Sequence, residues 1–150
     1  MSNTFSPTLP IAMGADHAGF IYKQAVIKYL NDKKILVADF GTYSLSSTDY
    51  PDYAHAVANS VAINESACGI LFCGSANGVA ITANKHKNIR AGLCWNNDVA
   101  RLVRMHNNAN IICIPSRFVA LELAIEMVDN FLNTSFEGGR HQWRIDKIPC

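Results

Sequence analysis

A parallel α/β sandwich is the fold this sequence predicts, and three observations predict it. Short apolar runs recur along the chain, none of them alternates strictly, and amphipathic segments with helical spacing separate them. A strand that is apolar on both sides is covered on both faces, as happens when helices pack above and below a parallel sheet.

The elements follow in order. The first run, "LPIAMGA", precedes a helical pattern in which Ile21, Ala25 and Tyr29 lie beside Tyr22, Val26 and Leu30. Next come "ILVADF" and a second pattern through Tyr53, Val57 and Val61. The central run "CGILFCG" enters a glycine-rich loop, Gly74 to Gly78, that leads into a helix. "IRAGLC" precedes Val99, Leu102, Val103 and His106, and "NIICIPS" precedes Phe118, Leu121, Ile125, Val128 and Leu132. These i, i+3, i+4 spacings are those of crossover helices with one buried face. A last helical segment is expected near residues 139–148. The chain therefore reads as one doubly wound domain over residues 10–150, preceded by a tail of residues 1–9, with ligands at the carboxyl ends of the strands.

Composition removes several functions. A hydrophobic fraction of 49%, a charged fraction of 17% and a net charge of +1 argue against disorder and against a polyanion-binding surface, so nucleic acid is not an expected partner. No apolar run approaches the ~20 residues that span a bilayer, and "MSNTFSPTLP" has neither a basic leader nor an apolar one, so a cytoplasmic protein is expected. Cys68, Cys73, Cys94, Cys113 and Cys150 are an odd set without a CxxC pair, which speaks against a disulfide framework and against a zinc site. Cys68, Cys94 and Cys113 read as small buried hydrophobes.

The residues that follow the apolar runs should meet on one rim. They are Asp16 and His17, then Tyr43 and Asp49, then "CGSANG", then "CWNND", then Arg117. The loop Gly74 to Gly78 directs backbone N–H groups outward where a helix begins and can hold an anion, or it is a tight turn that needs small residues. It lacks GK[ST] and GxGxxG, so it is no nucleotide fingerprint. Cys73 beside those amides reads either as a small buried residue or as a thiol with lowered pKa, able to act as base or nucleophile. His17 and His106 fall at the ends of elements, as caps or as catalysts facing the same crevice. Arg140 and Arg144, four apart after a Gly-Gly turn, form an exposed basic face or a clamp for a phosphate dianion.

Taken together, "GADHAGF", "DFGTYSLSSTDYPDYA", "GILFCGSANGVAITANK", "IRAGLCW", "HNNANI", "SRFV" and "EGGRHQWR", in this order, resemble the ribose-5-phosphate isomerase B / galactose-6-phosphate isomerase family over about residues 10–148. The resemblance implies a single-domain Rossmann-like α/β/α sandwich, a five-stranded parallel sheet with an additional C-terminal helix. It also implies a homodimer or tetramer with sites shared between subunits, and cofactor-free, metal-free aldose–ketose isomerisation of a sugar phosphate. Carried over, it makes Cys73 the base between C1 and C2 and Ser75 the proton shuttle between O1 and O2. The amides of Gly74 to Gly78, with Asp16, stabilise the enediolate. His106 opens the ring, Tyr43 and Asn107 lie near the anomeric end, and His17, Arg117, Arg140 and Arg144 hold the phosphate. Two departures stand out: Val79 occupies the place where one branch has a glutamate base, and the usual "CGTG" is "CGSA". Ala76 is thereby expected to alter the loop, and Asn77 to reshape the sugar pocket. Ribose 5-phosphate is the expected substrate, with a six-carbon phosphate such as allose or galactose 6-phosphate, or a non-catalytic sugar-phosphate-binding module, as the alternatives.

Overall fold

The computed structural model describes residues 5–6 and 8–150. Five parallel strands, β1 (Ile11–Ala15), β2 (Val37–Asp39), β3 (Cys68–Cys73), β4 (Ala91–Leu93) and β5 (Ile111–Pro115), form one sheet in the order β2-β1-β3-β5-β4. The helices between them are α1 (Phe20–Asp32), α2 (Tyr50–Ala62), α3 (Asn77–Ala83), α4 (Asn97–Asn107) and α5 (Leu121–Asn133), and α6 (Arg140–Ile145) closes the chain. The α/β sandwich and the extra C-terminal helix are as the sequence predicts.

Strand alternation sorts the core into two layers. Ile11, Met13 and Ala15 of β1, with Cys68, Ile70 and Phe72 of β3, point to the face covered by Val26 and Leu30 of α1, Ala100 of α4 and Met127 of α5. Ala12, Leu71, Cys73 and Cys113 point to the other face, under Ala54 and Val57 of α2 and Val79 and Ala83 of α3. Cys73 is thus the last residue of the most central strand and belongs to the α2/α3 layer.

Two side chains depart from the apolar pattern. Arg104, on the buried face of α4, is 2% exposed; its guanidinium donates to the Ala109 carbonyl at 2.6 Å and to Asn108 Oδ1 at 2.9 Å, and it lies 4.3 Å over the ring of Phe5. Phe118, expected on the apolar face of α5, precedes that helix and is exposed.

Gly19 fixes how α1 meets the sheet. A Cβ there would stand 2.5 Å from the backbone carbon and oxygen of Phe72, so the turn after β1 lies directly on the end of β3. Neither partner can yield, because both contacts are backbone of a central strand. Gly19→Ala should therefore cost about 3 kcal/mol, the upper end for overpacking, and lower Tm by roughly 6–12 °C in a thermal melt.

Candidate active site

The strand order reverses between β1 and β3, because β2 lies on one side of β1 and the later strands on the other. Loops leaving the two strands diverge there and open a crevice at their carboxyl ends. A cleft of about 340 Å³ occupies that position, lined by Asp16, His17, Ala18, Cys73, Gly74, Ser75, Arg117 and Phe118.

Its floor is a fixed carboxylate and a thiol. Asp16 Oδ1 accepts the backbone N–H groups of Ala18 (3.0 Å) and Gly19 (3.1 Å), which leaves Oδ2 to face Cys73 Sγ at 3.0 Å. The Ser116 hydroxyl lies 2.9 Å from the Ala18 carbonyl oxygen and 3.2 Å from that of Cys73, tying the β1, β3 and β5 loops together. The Arg117 backbone N–H donates to the Gly74 carbonyl (3.1 Å), and the Arg117 side chain lies over Gly74, where a Cβ would be 3.2 Å from Cδ and Nη1. His17 Nδ1 accepts the Thr48 N–H at 3.3 Å.

The thiol is not the acidic one that its place before a helix suggests. The Cys73 pKa is pushed up to about 11, by burial first and then by the hydrogen bond to Asp16 and the charge of that carboxylate, against weaker lowering by the Gly74 and Ala76 amides. The helix-end effect is present but loses to desolvation and a like charge. Cys68 and Cys94 are buried thiols pushed up to about 12 by the same desolvation, and Cys113 is raised likewise, so these three are the inert hydrophobes expected of them. Ala76 takes the left-handed conformation (φ +60°) with its methyl fully buried, so the loop keeps a glycine-type turn despite carrying alanine.

A second group lies elsewhere. The rings of His106 and His141 stack at 4.2 Å with 9° between their planes, beside Glu137. Burial, with the nearby charge of His106, lowers the pKa of His141. Asn107 ends α4, its carbonyl accepting Arg90 Nε at 3.0 Å, and Arg140 and Arg144 project from α6. Helix α4 runs back from β4 to the start of β5, whereas Cys73 pairs with Pro115 at the end of β5. The five residues of β5, at roughly 3.3 Å each, therefore separate this group from the cleft within one chain. His17 and His106 do not face one crevice of the same chain.

A family model described as Ribose/Galactose Isomerase matches residues 11–148. Ribose-5-phosphate isomerase B of Escherichia coli K12 is 46% identical over 140 residues, which are 93% of this chain and 94% of that protein. The chain belongs to the ribose/galactose isomerase family. Among solved structures, a ribose 5-phosphate isomerase from Thermotoga maritima superposes with a TM-score of 0.91 at 52% identity, covering 94% of this chain and 97% of that one. Ribose-5-phosphate isomerase B of Mycoplasma genitalium, solved with bound ribulose 5-phosphate, gives 0.92 at 42% identity and 95% coverage of both chains.

In this ribose/galactose isomerase the residues singled out in the sequence divide into three sets. Asp16, His17, Cys73, Gly74, Ser75 and Arg117 line the cleft. His106, Asn107, Arg140 and Arg144 stand at the far end of the sheet. Tyr43, Asn77 and Gly78 belong to neither: the Tyr43 hydroxyl donates to the Asp39 carbonyl at 2.9 Å, Asn77 lines a separate hollow outside α3, and Gly78 makes room for the Tyr50 ring, 2.4 Å from a Cβ placed there. Sequence reasoning missed Phe118 on the rim and the partners Glu137 and His141. Only the i, i+4 spacing of the last two, across the Gly-Gly turn, pointed to a shared face.

Proposed function

We propose that this chain interconverts ribose 5-phosphate and ribulose 5-phosphate as an aldose–ketose isomerase, through ring opening and an enediolate. The observation that carries the reading is Cys73 Sγ at the cleft floor, 3.0 Å from Asp16 Oδ2 and facing the loop amides. Because the thiol is protonated in the free enzyme, the base must form within the pair. The proton moves from sulfur to Asp16 Oδ2, leaving a thiolate beside a carboxylic acid with no change in net charge. Thiolate then takes the proton from C2 of the open-chain aldose, the loop amides that follow Cys73 hold the oxyanion, and Ser75 passes a proton between O1 and O2. Sulfur returns its proton to C1, Asp16 returns its own to sulfur, and the ketose results with the pair restored.

His17 and Arg117 bind the phosphate from the cleft side. Arg117, Arg140 and Arg144 are exposed and make no side-chain ion pair or hydrogen bond among the described residues, so all three guanidiniums are available to an anion. His106 and Asn107, with Arg140 and Arg144, complete the site from a neighbouring copy, His106 acting in ring opening. The proposal thus includes a cytoplasmic homodimer, without cofactor, in the pentose phosphate pathway, with residues 10–150 as the isomerase domain. Among the described residues no helix is long and apolar enough to cross a membrane.

Assay of the purified protein on ribose 5-phosphate, allose 6-phosphate and galactose 6-phosphate tests it. Ribose 5-phosphate should give a kcat/KM at least about tenfold above either hexose phosphate, a difference of ~1.4 kcal/mol in transition-state binding. Preference for a hexose phosphate would retain the chemistry and replace the substrate. No turnover on any of them would leave a binding module.

A further inference from the structure

One ligand atom each from His106, Glu137 and His141 lies within 4.8 Å of the others. Glu137 Oε2 is 3.8 Å from His106 Nε2 and 3.7 Å from His141 Nε2. Both separations are too long for hydrogen bonds. They are close to the roughly 3.3 Å that ligands keep from one another around a tetrahedral ion with bonds of about 2.0–2.1 Å. His141 is 5% exposed, and its Nε2 is buried with no hydrogen-bond partner among the described residues. Glu137 is held against α4 by its backbone N–H, which donates to the Met105 carbonyl at 3.0 Å. The end of α4 and the start of α6 thus hold two imidazoles and a carboxylate around one point.

We propose that His106, Glu137 and His141 bind a divalent transition-metal ion of the zinc type. Two nitrogen donors and one carboxylate suit zinc and its neighbours, not calcium or magnesium, and three protein ligands leave a position open to water. His106 lies at the carbonyl end of α4, whose dipole favours a cation. Arg140 and Arg144 oppose one, and their exposure to solvent screens that repulsion. The stacked rings must turn to converge, and the half-exposed His106 is the one with room to do so. The cysteine pattern spoke against zinc held by thiolates; these donors come from residues about thirty apart, a spacing that no short motif reveals. Where His106 opens the sugar ring, an ion on its Nε2 removes the lone pair that step needs, and zinc inhibits. This consequence rests on the function proposed above; the binding does not.

Zinc affinity is measured on the full chain by competition with a chromophoric chelator at neutral pH, in a Cys150→Ser background that removes the exposed thiol. One equivalent per chain should bind with Kd below about 10 µM. Glu137→Gln, which alters an exposed residue, and His141→Ala should each weaken it at least about tenfold. The exposed pair His55 and His86, with ring nitrogens 2.7 Å apart, is the other imidazole pair, and His55→Ala/His86→Ala should leave the affinity unchanged. Absence of a saturable site, or affinity indifferent to Glu137→Gln and His141→Ala, overturns the proposal. Ribose 5-phosphate turnover is followed in parallel: zinc inhibition that Glu137→Gln relieves supports the link to His106, and tight binding without inhibition overturns that link alone.

Discussion

Cys73→Ala is expected to lower kcat by about 10²–10⁴-fold, the usual contribution of a general base, while the fold and the affinity for a phosphate ligand persist. The side chain is 8% exposed at the edge of the α2/α3 core, and Asp16 keeps its two backbone donors without it. Cys73→Ser separates acidity from geometry: a hydroxyl can still donate to Asp16 but is too weak an acid to yield the base, so it should be as inactive. Near-normal turnover by Cys73→Ser would remove the thiol as base. Iodoacetamide gives an independent reading. With the pKa at about 11, alkylation of Cys73 in the free enzyme should be slow at pH 7 and rise about tenfold per pH unit. Asp16→Asn deletes the carboxylate charge and should speed it at fixed pH. The sign for stability follows: a thiol pKa raised above the unfolded value stabilises the fold below about pH 9, and that contribution disappears as pH rises through about 11.

Arg140→Ala/Arg144→Ala should reduce kcat/KM by about 10²-fold or more, since each charge-assisted contact to phosphate is worth ~1.5–3 kcal/mol. Arg144→Lys should also weaken binding, because an ammonium does not reproduce the two-pronged contact. The informative measurement mixes this double variant with Cys73→Ala under conditions of subunit exchange. Either protein alone is nearly inactive. In a mixed dimer one site carries both lesions and the other neither, so half the sites of that species revive, and an equal mixture should reach about a quarter of normal activity. No recovery with exchange verified would place base and arginines in the same chain's site.

Strands β1, β3 and β5 were legible because each is buried along its whole length, which leaves continuous apolar runs such as "CGILFC" and "IICIP". The protonation of Cys73 was not. A local argument finds only the amides of Gly74 and Ala76, which lower its pKa, whereas burial, the larger cause, and Asp16, 57 residues away and brought to the sulfur by the register of β1 on β3, come with the tertiary fold. The two histidines lie apart within one chain for a different reason. His17 follows a strand and His106 precedes one, and in a parallel sheet those positions lie at opposite ends of the strands. The buried Arg104 is hidden from any hydrophobic count because it is satisfied by carbonyls and aromatic faces that only the tertiary fold assembles.

Under the proposed function, that separation of the cleft from the α4–α6 end governs assembly. A chain whose two half-sites lie at opposite ends of its sheet can complete a neighbour in either of two ways. Head-to-tail addition leaves one unmatched half at each end and continues unless the copies close into a ring. Pairing about a twofold axis, with the two sheets running in opposite directions, satisfies both halves of both chains at once and stops. Of the two, the closed pair completes every site with the fewest copies, so under the proposed function the sites come in twos.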